Sequence, residues 1–232
     1  MIPRTRDLFE PVVPGNKLNP LFQRMAQGAG HTAARALANA IFANLRDVDR
    51  SFVREFQTGG FSARVFELAL FAHLEEMDLD LDRTHPAPDF VVRGDAPVAI
   101  EVTTTNPVQG TPLDPGPPYP LLPDDLDLAD QEFVFQVGKA LRRKLEHRDA
   151  QGAAYWEKPH TAGVPFVVAV GAFHGPHAQL HPDGLLATYS TAPATWRTAA
   201  MQENSRLPPK PSNNTPGASS RCQAASSGSP KR

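Results

Sequence analysis

Ala87-Pro88-Asp89-Phe90-Val91-Val92-Arg93-Gly94-Asp95-Ala96-Pro97-Val98-Ala99-Ile100-Glu101-Val102-Thr103 is the stretch on which the fold turns. Two β-prone runs, Pro88 to Arg93 and Val98 to Thr105, flank Gly94-Asp95-Ala96, and this pattern predicts a β-hairpin. A hairpin centred on Asp95 sets Asp89 directly opposite Glu101. Side chains alternate between the two faces of a strand, so Phe90, Val92, Val98, Ile100 and Val102 share one wholly apolar face, which belongs to the core. Asp89, Val91, Ala99, Glu101 and Thr103 share the other. Two carboxylates directly across a strand pair have Cβ atoms about 4.5–5.5 Å apart. They repel unless a proton or a cation lies between them.

Helical spacing brackets the hairpin. Leu37, Ile41 and Leu45 predict a helix over His31 to Val48, and a second is expected from a Ser62 cap to about Met77, with Phe66, Leu70, His73, Leu74 and Met77 on its buried stripe. Glu67 lies beside that stripe and adds a third carboxylate; Arg64, one turn earlier, offers it an ion pair. Gln131 to Arg148 reads as a helix with Val134, Val137, Leu141 and Leu145 inward and Arg142, Arg143 and Arg148 outward. Val164 to Val170 is a continuous apolar run, which predicts a central strand buried on both faces. The fold class expected is therefore α/β, with a mixed sheet flanked by helices.

The chain has 232 residues, 41% of them hydrophobic and 21% charged, enough for one domain with a sizeable core. Residues 1–30 read as an irregular N-terminal arm, 31–186 as the α/β domain and 187–232 as a disordered low-complexity tail. The tail holds six Lys or Arg against one acid, Glu203, and no Val, Ile or Phe, so it lacks the apolar content to offset chain entropy. A Pro-rich loop runs from Asn106 to Pro123. No apolar run approaches the roughly 20 residues that cross a bilayer. No apolar leader follows Met1, and a cytoplasmic protein without membrane contact is expected. One cysteine, Cys222, excludes internal disulfides and thiolate clusters, so a metal site must use oxygen or histidine ligands. Three carboxylates suit Mg²⁺ or Mn²⁺. His160, His174, His177 and His181, around the last apolar run, read as loop residues.

Glu67 on a helix, Pro88-Asp89 on one strand and Glu101-Val102-Thr103 on the next resemble the PD-(D/E)XK nuclease-like superfamily over roughly residues 60–175. The resemblance implies a restriction-endonuclease-like αβββαβ core and a Mg²⁺ (or Mn²⁺) ion held by Asp89, Glu101 and Glu67. It implies cleavage of a phosphodiester, with DNA as the expected nucleic-acid partner, and leaves room for a homodimer. The family's lysine, two residues after the second acid, is Thr103 here. A basic residue from the following helix takes that place in some relatives; Lys144, near the buried edge, is preferred to Lys139. The expected catalytic set is Asp89, Glu101 and Lys144, and Arg142, Arg143 and Arg148 form the expected nucleic-acid patch. A catalytically inactive interaction module, and an enzyme that uses the carboxylates as acid and base on a glycoside, are the alternatives.

Overall fold

The computed structural model describes residues 7–48, 50–107, 123–175 and 177–180. The Pro-rich loop from 108 to 122 and the tail from 187 lie outside them. Five helices of more than one turn and four strands follow in chain order: α1 (Pro20–Gln27), α2 (Thr32–Asn44), α3 (Phe52–Gln57), α4 (Phe61–Glu76), β1 (Leu81–Asp82), β2 (Phe90–Val92), β3 (Val98–Thr105), α5 (Leu126–Leu145) and β4 (Phe166–Ala172). The sheet runs β1-β2-β3-β4, antiparallel at the first two junctions and parallel at the third. The protein is thus α/β, with a four-stranded mixed sheet.

The hairpin takes the register expected of it: Phe90 pairs with Ile100, Val91 with Ala99 and Val92 with Val98. Gly94, at φ +100°, makes the turn, a conformation that a side chain disfavours. Phe90, Val92, Ile100 and Val102 join one core with Leu68, Phe71 and Leu74 of α4 and with the N-terminal helices. There Phe9, Phe22, Phe42, Phe52, Phe56 and Phe61 form a chain of stacked and edge-on rings. Such ring pairs add packing specificity to the area they bury. α5 covers the opposite face, its Val134, Val137 and Ala140 buried.

Several expectations need correction. The arm contains α1, opened by Pro20 at its first position and capped by Asn19, whose Oδ1 accepts from the amides of Leu21 and Phe22. α2 stops at Asn44, short of Val48. α4 has Gly60, not Ser62, at its N-cap, and its buried residues are Phe61, Glu67, Leu68, Phe71 and Leu74, while Met77 is exposed. α5 starts at Leu126, where Asp125 accepts from the Leu128 amide, and ends at Leu145. Among the described residues β4 pairs only with β3, and Val167 is 46% exposed, so the strand read as central is an edge. A continuous apolar run cannot distinguish the two, because a hydrophobic edge strand has the same composition.

Gln57 ties the first described residues to the helices. Fully buried, it donates through Nε2 to the carbonyls of Leu8 (2.9 Å) and Glu10 (2.7 Å) and accepts from the Val12 amide (2.8 Å). Gln57→Ala leaves these backbone groups without partners and should cost about 3 kcal/mol. Urea denaturation measures that loss; a change under about 0.5 kcal/mol, the range of ordinary surface substitutions, contradicts the anchoring role.

Candidate functional site

Strand alternation past the last β2 pair brings Asp89 beside Glu101. Asp89 is partly buried and its Oδ2 accepts from the Val102 amide at 2.7 Å, which fixes the carboxyl against β3. Glu101 is 5% exposed. Its Oε1 meets Lys144 Nζ at 2.5 Å, and its Oε2 is buried without a hydrogen bond. Burial first, then the charge of Glu101 and after it that of Glu67, push the Asp89 carboxyl up to about 7. The Val102 amide and Lys144 oppose the shift. Asp89 therefore titrates near neutrality, as burial beside a second carboxylate dictates.

Glu67, 3% exposed on α4, is near enough for its charge to act on Asp89, yet both of its oxygens are taken. Arg64 donates to Oε2 at 2.5 Å and Arg83 to Oε1 at 2.8 Å. Arg64 also holds Glu55 of α3, and the Arg83 guanidinium lies 4.6 Å from the Phe90 ring centroid. Glu67 is thus a counter-charge to two arginines rather than an open ligand. Among the described residues no three Asp, Glu, His or Cys side chains are grouped to hold an ion, although the charges of Glu67 and Glu101 both reach Asp89. Glu67, Asp89, Arg64, Arg83, His85 and Phe52 line a small cleft of about 80 Å³.

α5 supplies the cations. Lys144 turns inward to Glu101, whereas Lys139 is exposed. Arg143, expected to point outward, donates from Nη2 to Thr103 Oγ1 at 2.8 Å, so a guanidinium reaches the strand position two residues beyond Glu101. Arg142 pairs with Glu146 at the surface, and Arg148 bonds the carbonyls of Leu145 and His147. The three arginines therefore serve three local purposes. Sequence reasoning missed Arg83 as a second partner of Glu67. It also missed the placement of Tyr155, which lies under Lys144 with its ring centroid 5.6 Å from Nζ. Burial, and then the negative charge of Glu101, raise the Tyr155 hydroxyl above its ordinary value, so it stays protonated beside the acid. His160 bonds the Ala87 carbonyl and stacks on His85, and His174 bonds Thr105; His181 lies outside the described residues.

Asp89 and Glu101 fit a divalent cation: they are paired carboxylates, one with an unbonded buried oxygen and the other with its acidity suppressed by burial and then by its neighbour. Glu67 fits only if an arginine lets go. Comparison with protein-family models, curated proteins and solved structures finds no match to this chain.

The raised Asp89 has a signed consequence for stability. A carboxyl near 3.8 when unfolded and near 7 when folded binds more protons in the folded state between those values, so stability without metal falls as pH rises from about 4 to 7. Asp89→Asn keeps an oxygen for the Val102 amide and removes the titration. In EDTA it should flatten that slope and stabilise the protein at pH 7.5 by on the order of 1 kcal/mol or more. Thermal melts across the pH range check it, and an unchanged slope refutes the assignment.

Proposed function

We propose that this protein is a divalent-metal-dependent phosphodiester hydrolase of the restriction-endonuclease-like kind, with DNA as substrate. The observation that carries the reading is the Asp89–Glu101 pair held across the hairpin, with Lys144 of α5 on Glu101. The element order from α4 through β1, β2, β3 and α5 to β4 is consistent with an αβββαβ core. No helix of the described residues is long and apolar enough to cross a membrane.

In this reading Asp89 and Glu101 hold a Mg²⁺ or Mn²⁺ ion, which when bound supplies Lewis-acid charge at the phosphate and lowers the pKa of a water. The chain's own groups do the rest. The hairpin register and the Val102 amide position both acids before substrate arrives. Lys144 offers an ammonium for the charge that develops on phosphate oxygen, and Tyr155 holds that ammonium over its ring. Arg143, anchored on Thr103, supplies a second cation where the family's strand lysine is missing. Glu67 keeps Arg64 and Arg83 beside the cleft rather than acting on substrate.

One observation favours a second reading, a catalytically inactive interaction module: Lys144 and the two arginines already compensate Glu101 and Glu67. Metal-dependent turnover separates the two. Glu101→Gln should lower Mg²⁺-dependent cleavage of DNA, assayed on both single strands and plasmid, by about a hundredfold or more, the scale of losing a group that stabilises the transition state, with the fold retained by circular dichroism. Lys144→Ala should be far more damaging than Lys139→Ala. No cleavage with any divalent ion, or equal rates for wild type and Glu101→Gln, moves the assignment to the inactive module.

A further inference from the structure

Past the end of α5 the chain builds a cationic ledge beside the acidic site. Arg148 is exposed, but its guanidinium is not free to swing: Nη1 donates to the carbonyls of Leu145 (3.0 Å) and His147 (2.8 Å), and Cζ lies 5.5 Å from the ring centroid of half-buried Trp156. Trp156 in turn rests on Phe166, with centroids 5.3 Å apart. Phe166 stacks on Tyr155 at 5.8 Å and 7°, and Tyr155 carries Lys144 on its ring. An unbroken run of planar groups therefore leads from the Glu101–Lys144 pair to the Arg148–Trp156 ledge. Arg143 and Lys144 lie along the same end of α5.

We propose that the Arg148–Trp156 ledge stacks an unpaired base of single-stranded nucleic acid whose phosphates lie along Arg143 and Lys144. Guanidinium and indole planes are the surfaces on which unpaired bases settle. A base in a duplex is covered on both faces and paired on its edge, so it cannot use a fixed plane of this kind. Phosphates alone need cations but not a plane, whereas here the planar guanidinium is fixed beside the indole by two carbonyls. The inference rests on the nuclease reading only in taking nucleic acid as the ligand, and it narrows the substrate to single strands or to duplexes with an unpaired end.

Binding is measured on the whole chain in EDTA, where no cleavage occurs, by fluorescence anisotropy with a labelled mixed-sequence single strand and with the matching blunt duplex. The single strand should bind about tenfold more tightly than the duplex, the scale of one base stacked on a side-chain plane. Arg148→Lys keeps the charge and removes the plane, on an exposed side chain, and circular dichroism checks that the fold is retained. It should abolish most of that preference, and Trp156→Leu should do the same. Equal affinity for the two strand forms, an unchanged preference in Arg148→Lys, no binding of either, or displacement by polyglutamate as effective as by the single strand overturns the ledge; the last outcome assigns the surface to acidic protein partners. Cleavage without strand preference sinks the ledge and leaves the nuclease reading standing. Single-strand binding that depends on Arg148 without metal-dependent cleavage sinks the nuclease reading and leaves the ledge.

Discussion

The pairing of Asp89 with Glu101 is a repulsion that the hairpin register enforces. β2 and β3 have one wholly apolar face, and a slip of one residue would turn Phe90, Val92, Ile100 and Val102 out of the core and bring Asp89 and Glu101 into it. The cost of that slip greatly exceeds the cost of holding two carboxylates together, so the acids stay where hydrophobic packing puts them. The remainder of the site answers their charge. Lys144 comes to Glu101, the Val102 amide to Asp89, and a proton spends part of its time on Asp89 near neutrality.

The same logic explains the α4 side. Glu67 is buried between the aromatic layer and the sheet, where an unpaired carboxylate would be expensive. Two arginines repay that cost, and each is itself fixed by an aromatic ring: Arg64 lies 5.1 Å from the Phe52 centroid, and Arg83 stands over Phe90. Removal of Glu67 alone would leave Arg64 with Glu55 but take from Arg83 its bonded acid in a poorly hydrated place, which is why a buried ion-pair cluster is more costly to break than to replace as a whole. The cluster joins α3, α4 and the segment after β1 to the rear of the Asp89 loop. Its structural work therefore overlaps with the ligand role that the sequence motif suggests for Glu67.

The legible part of the chain was the part with strong local rules. The hairpin followed from a turn triplet and two runs with one apolar face. The inward position of Lys144 followed from its spacing to Leu141, and the Arg64–Glu67 pair from helix geometry. Less legible were features set by groups distant in sequence. Arg83 reaches Glu67 across sixteen residues, Gln57 captures carbonyls more than forty residues away, and neither leaves a periodic trace. α3 and β1 span only six and two residues, too short for periodicity to register. Arg143 looked solvated because its position on α5 faces outward, yet its length lets the guanidinium turn back to Thr103.

Thr103 changes what the site depends on. A lysine on β3 would be held in place by the sheet alone, whereas Lys144 and Arg143 arrive from α5 and reach Glu101 and Thr103 only while that helix is docked. Docking rests on the buried Val134, Val137 and Ala140 and on the aromatic run under the helix end, where Tyr155 stacks on His147 at 4.9 Å. The charge balance of the acidic pair is thereby tied to apolar packing on the far side of the sheet from the N-terminal core. Without Lys144, Glu101 would have no bonded cation among the described residues, while the β2–β3 hairpin, packed on α4, would still hold the two acids together. On the nuclease reading, a divalent ion at this pair and the Lys144 ammonium would compete for Glu101, so the cation that balances the acids at rest comes from a helix whose own position is set by packing elsewhere.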